Sequence, residues 1–190
     1  MNRTTLARCI APVLALVSAS AAAHSLETTA GSLAGSVAHP FLGFDHLLAM
    51  LAAGLWAAQQ RGWARWAIPG AFAGATAVGT AFAAAGVALP DAESAIALSV
   101  LILGLLVAAR RASSLPAAMA LVGAFAVFHG FAHGTEMQQA ASPLVAAVGF
   151  VLGTALLHAA GFVGGVVVRH AVPYAGAAIA ASGLVLFLGL

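Results

Sequence analysis

Charged residues are scarce in this sequence of 190 residues. Lysine is absent, and the seven arginines and five acidic residues make up only 6% of the chain. A soluble domain carries about 25% charged residues, and a nucleic-acid-binding surface needs clustered basic side chains, so both classes are excluded. Hydrophobic residues make up 63% of the chain, and the mean hydropathy is +1.05. The composition therefore predicts an integral membrane protein surrounded by the lipid bilayer.

Cysteine is nearly absent too, since Cys9 stands alone. It lies in residues 1–23, where Arg3 and Arg8 precede a short apolar stretch and small residues follow, which is the pattern of a cleaved secretory signal peptide. An uncleaved signal anchor is the alternative. Cleavage leaves no thiol in the mature chain, which excludes disulfides and thiolate metal sites. It also makes His24 the first residue, where amine and ring are able to chelate a metal, although a chance placement explains this histidine equally well.

After a short polar segment, residues 24–36, long apolar runs fill most of the domain of residues 24–190 and leave no room for a sizeable soluble domain. Each run suits a helix that crosses the hydrocarbon core of a bilayer, for which about 20 residues are needed. We therefore expect an all-α membrane transport domain of six transmembrane helices. The expected spans are 37–59, 66–89, 94–109, 115–134, 143–168 and 171–190.

Arginines set the expected orientation, because loops on the cytoplasmic side are enriched in basic residues. With the mature N-terminus outside, the five arginines beyond residue 60 all fall inside, and the acidic residues of the loops fall outside. Both mature termini are then outside. Tryptophans near the first arginines are typical of an interfacial aromatic belt. These are Trp56, Trp63 and Trp66.

Glycines four residues apart occur in several of the spans. Such pairs allow two membrane helices to approach closely. The spacing predicts close helix contacts at Gly70 and Gly74, Gly149 and Gly153, and Gly161 and Gly165.

Two polar strings interrupt the apolar runs: HPFLGFDH opens the first span and FHGFAHGTE closes the fourth. An ionisable side chain in hydrocarbon costs about 3 kcal/mol on insertion scales, so such groups are candidates for an ion path. The first span runs inward and the fourth outward, which places both strings in the outer half of the membrane. We expect an outer group of His39, His133 and Glu136 above an inner group of Asp45, His46 and His129.

His158 lies past the midplane of the fifth span, about 23 Å from its outer end at 1.5 Å per residue. It is either a weaker, exit-side metal ligand or a histidine that simply hydrogen-bonds a neighbouring helix. Imidazole with carboxylate suits nickel, cobalt, zinc or copper, whereas carboxylates alone suit magnesium or calcium. The ligand types leave the choice among the first four metals open.

The two strings resemble the motifs of the HupE/UreJ family of nickel permeases, accessory proteins of hydrogenase and urease maturation. The likeness rests on H-P-x-x-G-x-D-H-x-x-A-M from His39 to Met50 and F-H-G-x-A-H-G-x-E from Phe128 to Glu136. It implies a secondary permease of the bacterial inner membrane that admits nickel, or cobalt, as cargo and holds no permanent cofactor. The residues it implicates are His39, Asp45, His46, His129, His133 and Glu136.

Two other functions fit a membrane-embedded metal site. An intramembrane hydrolase would use His and Asp to hold a catalytic zinc with an open coordination position, and a metal sensor or scaffold would bind without transport. The sequence offers no separate general base and no soluble domain to pass on a signal, so we expect a transporter and not an enzyme. The oligomeric state is left open.

Cleavage of the signal peptide gives the first testable prediction. Protein purified from membranes should begin at His24, because signal peptidase cuts after small residues such as those ending at Ala23. Intact-mass measurement or N-terminal sequencing reads the start directly. A retained Met1 would contradict both the cleavage and any metal-binding role of an N-terminal His24.

Overall fold

The computed structural model describes residues 32–138, 140 and 142–190. Within these ranges the chain forms seven helices and no strand, so the all-α prediction is confirmed. The predicted signal peptide and His24 lie outside the described residues. The helices are α1 (Leu33–Leu42), α2 (Phe44–Gln59), α3 (Ala64–Ala84), α4 (Ala92–Ala108), α5 (Leu115–Met137), α6 (Pro143–Val167) and α7 (Val172–Leu188).

Three single helices, α3, α5 and α6, are long enough and apolar enough to cross a bilayer. The bent pair α1 and α2 makes a fourth candidate if the two count as one span. Helices α4 and α7 are apolar but have only 17 residues each, about 25 Å at 1.5 Å per residue. The protein is thus an all-helical membrane protein in which the predicted runs form helices, with one exception.

The exception is the first predicted span, 37–59, which is not one continuous helix. Helices α1 and α2 meet at an angle of 85°, and Gly43 between them has extended backbone with φ −79° and ψ 114°. Glycine favours the helix less than any residue except proline, while an aspartate is favoured in the first turn of a helix. Gly43 followed by Asp45 therefore ends one helix and begins another. His39 and His46 therefore lie on two different helices and not on one face of a single helix.

Helix α2 is the centre of the bundle. Its middle turns are buried on all sides, and Met50 and Trp56 are among the largest fully buried side chains. Helix α6 packs along α1 and α2, α3 packs along α5, and α4 packs along α7 and also against α2. The end of α2 is fixed to α4 and to the loop after it, because Gln59 Nε2 donates to the carbonyl of Val107 at 3.0 Å and the indole Nε1 of Trp56 donates to the carbonyl of Arg111 at 2.7 Å.

The expected tryptophan belt is wrong for Trp56 for this reason. Trp63 and Trp66 are 72% and 59% exposed, whereas Trp56 is fully buried. All three tryptophans lie close in sequence to Arg61 and Arg65. They differ in exposure because Trp56 lies within α2 and the other two lie after it. Trp56 belongs to the central helix, so its ring faces other helices.

Close approach of helix backbones depends on glycine at several contacts. A Cβ on Gly79 would collide with the backbone of Val127 in α5, and a Cβ on Gly161 would collide with the backbone of Leu51 in α2. The predicted contacts at Gly149, Gly153, Gly161 and Gly165 are present. Gly70 and Gly74 instead lie on the exposed side of α3, where an added Cβ meets nothing. The prediction of a close contact for that pair was wrong.

Two glycines of α3 provide a matched test of this packing. Gly79→Ala should destabilise the protein by roughly 1–3 kcal/mol, because overpacking moves the facing backbone. Gly74→Ala has open space and gains up to about 1 kcal/mol of helix propensity, so it should be neutral or stabilising. Thermal unfolding of the detergent-purified variants measures both. Equal stability of the two variants would contradict the assigned α3–α5 contact.

Candidate metal centre

A compact group of three side chains joins α1 to α5. His39, His133 and Glu136 each offer one ligand atom, and these atoms all lie within 4.8 Å of one another. Glu136 Oε2 accepts a hydrogen bond from His39 Nε2 at 2.8 Å and from His133 Nδ1 at 3.0 Å. The His133 side chain is buried, while those of His39 and Glu136 are 43% and 58% exposed. We call these three residues the outer group. It is exposed on the side of His39 and Glu136 and buried on the side of His133.

A second set of polar side chains continues inward from His133. The His46 ring lies 4.3 Å from the His133 ring and 5.1 Å from the His129 ring, centroid to centroid. Asp45 Oδ1 accepts from both the backbone N–H and the ring Nδ1 of His46, each at 2.7 Å. We call Asp45, His46 and His129 the inner group. His133, a member of the outer group, also contacts the His46 ring of the inner group.

Hydrogen bonding fixes the protonation of the buried rings. A carboxylate or a carbonyl only accepts, so the Nδ1 atoms that face them must carry hydrogen. Nδ1 donates to Asp45 in His46, to the Phe125 carbonyl at 3.0 Å in His129, and to Glu136 in His133. In each ring the lone pair is left on Nε2, and all three Nε2 atoms are buried without a hydrogen-bond partner among the described residues.

This arrangement is that of metal-ligating histidines. A ligating imidazole almost always donates its other ring N–H to a carboxylate or carbonyl, which sets its tautomer and orientation. A buried nitrogen that lacks a partner costs about 1–3 kcal/mol, so three together are unfavourable unless something binds them. The arrangement is able to bind a borderline divalent cation through neutral imidazole nitrogens, with Glu136 as an anionic ligand.

Local backbone structure explains how the side chains meet. The break at Gly43 turns the chain so that His39, near the end of α1, and His46, in the first turn of α2, both reach His133. Helix α5 continues through Gly130 to Met137, which places His129, His133 and Glu136 on successive turns of one face. Gly130 packs directly on the backbone of Thr76 in α3.

The other predicted ligand positions are separate. His158 of α6 is buried but lies beyond the ring of Phe72, whose centroid is 4.9 Å from the His158 ring and 5.4 Å from the His129 ring. His24 lies outside the described residues. The structure thus brings six of the eight predicted ligands together and leaves His158 apart from them.

Three residues near the site were not predicted from the sequence as part of it. Phe72 is fully buried between two histidines, and the Phe150 ring lies 4.0 Å from the His133 ring. Phenylalanine is common in apolar spans, so nothing in the sequence marks either one. Glu93 lines a cavity of about 360 Å³ together with Asp45. Its charge was visible in the sequence, but its nearness to Asp45 depends on helix packing.

Comparison with known proteins identifies the family. Residues 12–186 match the family described as HupE / UreJ protein. Protein HupE of Rhizobium leguminosarum bv. viciae is 44% identical over 128 residues, which cover 67% of this chain and 66% of that protein. The match therefore spans about two thirds of the length of this curated relative. No solved structure matches the chain. Because the family match covers nearly the whole chain, including both polar strings, the protein belongs to the HupE/UreJ family.

Proposed function

We propose that this protein is a secondary permease that carries nickel, with cobalt as second substrate, across the bacterial inner membrane. The metal would supply hydrogenase or urease maturation. The main support is the group of buried imidazoles at a broken membrane helix, each with Nδ1 held by an acceptor and Nε2 without a partner. Family membership and the apolar helices agree with this role. The metal ion is cargo, so the proposal includes no resident cofactor and no catalysed reaction.

The proposed topology has six spans after removal of the signal peptide, with both mature termini outside. Helices α1 and α2 form a broken first span, and α4 and α7 are short spans near the lower length limit of about 17 residues. Broken helices whose half-helix ends meet the cargo are common in transporters. Non-helical backbone at membrane depth is tolerated where protein surrounds it, and Gly43 lies beside Asp45 and His46.

Capture begins at the outer group, which is the partly exposed part of the site. An ion there takes Glu136 as an anionic ligand and must displace the hydrogen bonds that His39 and His133 donate to it. His133 then links the outer group to the inner group, because its ring contacts His46. At the inner group the Nε2 lone pairs of His46 and His129 are available without loss of a hydrogen bond. Asp45 holds His46 in the tautomer that ligation requires.

Nickel is favoured over other metals by geometry and not by affinity. Imidazole and carboxylate bind nickel more strongly than manganese, iron or cobalt, and copper more strongly still. Ligands presented by two rigid helices, with water completing the shell, suit six-coordinate nickel and cobalt better than tetrahedral zinc. The sequence contains no lysine and hence no P-loop, so we propose entry driven by the membrane potential or by a proton gradient and not by ATP.

Loss of one ligand should stop transport without loss of protein. His46→Ala, and likewise Ala at His39, Asp45, His129 or Glu136, should reduce nickel uptake by about tenfold or more, since even indirect ligand supports change metal affinity by 10–100-fold. His170→Ala is the control, because His170 is exposed in the turn after α6. Uptake of radiolabelled nickel is compared at equal membrane abundance. Normal uptake by His46→Ala would mean that the inner group is not on the ion path.

Competition tests the identity of the metal. Cells that express this protein should take up radiolabelled nickel, and cobalt should compete best among cobalt, zinc, copper and manganese, because it shares the six-coordinate preference. Cells with the vector alone provide the background. If zinc or manganese at equal concentration displaced nickel, the protein would remain a candidate divalent-metal transporter but not a nickel permease.

A further inference from the structure

A second pair of buried polar atoms lies deeper in the protein than the inner group. His158 and Thr154 occupy successive turns of one face of α6, and their side chains are 5% and 4% exposed. His158 Nε2 and Thr154 Oγ1 are both buried without a hydrogen-bond partner among the described residues. Each buried polar atom without a partner calls for an explanation, and two on successive turns of one helix face cost more than one.

Phe72 separates this pair from the inner group. Its ring is fully buried and lies edge-on to the His158 ring, with an interplanar angle of 83°, and its centroid is 5.4 Å from that of the His129 ring. A phenyl ring has no lone pair to ligate an ion, so an ion that moves from His129 to His158 must leave one imidazole and pass Phe72 before it reaches the other. The three rings form a direct sequence from α5 through α3 to α6.

The residues Thr154 and His158 both line a cavity of about 510 Å³ between α3 and α6. The cavity extends along α3 from Thr76 to Arg65 and Trp66, about 16 Å at 1.5 Å per residue. Arg65 belongs to the end of α3 that the topology assigns to the cytoplasmic side. A shell of six waters, at about 30 Å³ each, occupies less than half of the volume. The cavity therefore has room for a hydrated ion.

We propose that His158 and Thr154 form an inner release station for the transported divalent ion, reached past Phe72 and opening through this cavity toward the cytoplasm. The inference rests on the proposed permease function. His158 supplies one imidazole nitrogen and Thr154 one hydroxyl oxygen, and water completes the shell. Most of the cavity lining is apolar, so no carboxylate strengthens the binding. The imidazole nitrogen is a strong ligand and the hydroxyl oxygen is a weak one, so the two hold the ion loosely, as release requires.

Equilibrium binding of nickel to the detergent-purified protein tests the station apart from transport. The wild-type protein should show a tighter class of site, at the outer and inner groups, and a weaker class. His158→Phe keeps the ring volume but removes both nitrogens, so it should lose only the weaker class, and nickel uptake should fall by about tenfold. Glu136→Gln should weaken the tighter class and keep the other. His170→Phe is the control for a histidine-to-phenylalanine change outside the station, because His170 is exposed in the turn after α6.

The outcomes separate the station from the permease. If the wild type transports nickel and His158→Phe matches it in uptake and in both binding classes, the station is wrong and the permease stands. If the wild type does not transport nickel but His158→Phe still loses the weaker class, the permease fails and the site stands. Thr154→Val, which removes the hydroxyl at nearly constant volume, should weaken the same class. It provides the test should His158→Phe fail to fold.

Thiol labelling tests whether water or lipid fills the cavity. In a Cys9→Ser background, Thr154→Cys carries the chain's single thiol. A charged, membrane-impermeant thiol reagent added to inside-out vesicles should label it, and nickel should slow the labelling. Labelling only by a lipid-soluble maleimide, with no effect of nickel, would identify the cavity as a groove filled by acyl chains and would overturn the station.

Discussion

The site depends on one carboxylate oxygen. Glu136 Oε2 accepts from an imidazole of α1 and from an imidazole of its own helix α5, and it thereby joins two elements that are distant in sequence. Helix α1 packs on α6 and α5 packs on α3, so this contact also links the two sides of the bundle. A charge-assisted hydrogen bond is about twice as strong as a neutral one. Glu136 therefore holds the imidazoles of His39 and His133 in place.

Glycine contacts give the site its geometry. Helix backbones approach closely at Gly130 against Thr76, which sets α5 against α3, and at Gly161 against Leu51, which sets α6 against α2. In a membrane, helices gain little from the hydrophobic effect and associate through such packing. The break at Gly43 adds the last element, since it lets His39 and His46 approach His133 from two helices instead of from one.

The sequence was informative where an ionisable side chain stands in an apolar run and where the apolar runs are long. Ionisable residues in apolar runs identified the members of the outer and inner groups, and the long apolar runs identified the helices. The sequence was less informative where the role of a residue depends on which helices pack beside it. Gly43 could have been read as a break, but glycine also occurs within intact helices here. Gly74 and Gly79 both lie among small and apolar residues of α3, and the placement of α5 decides which one is a contact. Phe72 became relevant only once two histidines were seen beside it.

The two groups differ in how fully their own hydrogen bonds are satisfied. In the outer group Glu136 Oε2 already has two donors, whereas Nε2 of His46 and Nε2 of His129 in the inner group have no partner among the described residues. Binding of an ion to Glu136 would cost the protein the hydrogen bonds that this oxygen accepts, whereas binding to Nε2 of His46 or His129 would cost none. The hydrogen bonds alone would therefore favour the inner position, so that an ion carried inward as proposed would move toward the group that it disturbs less.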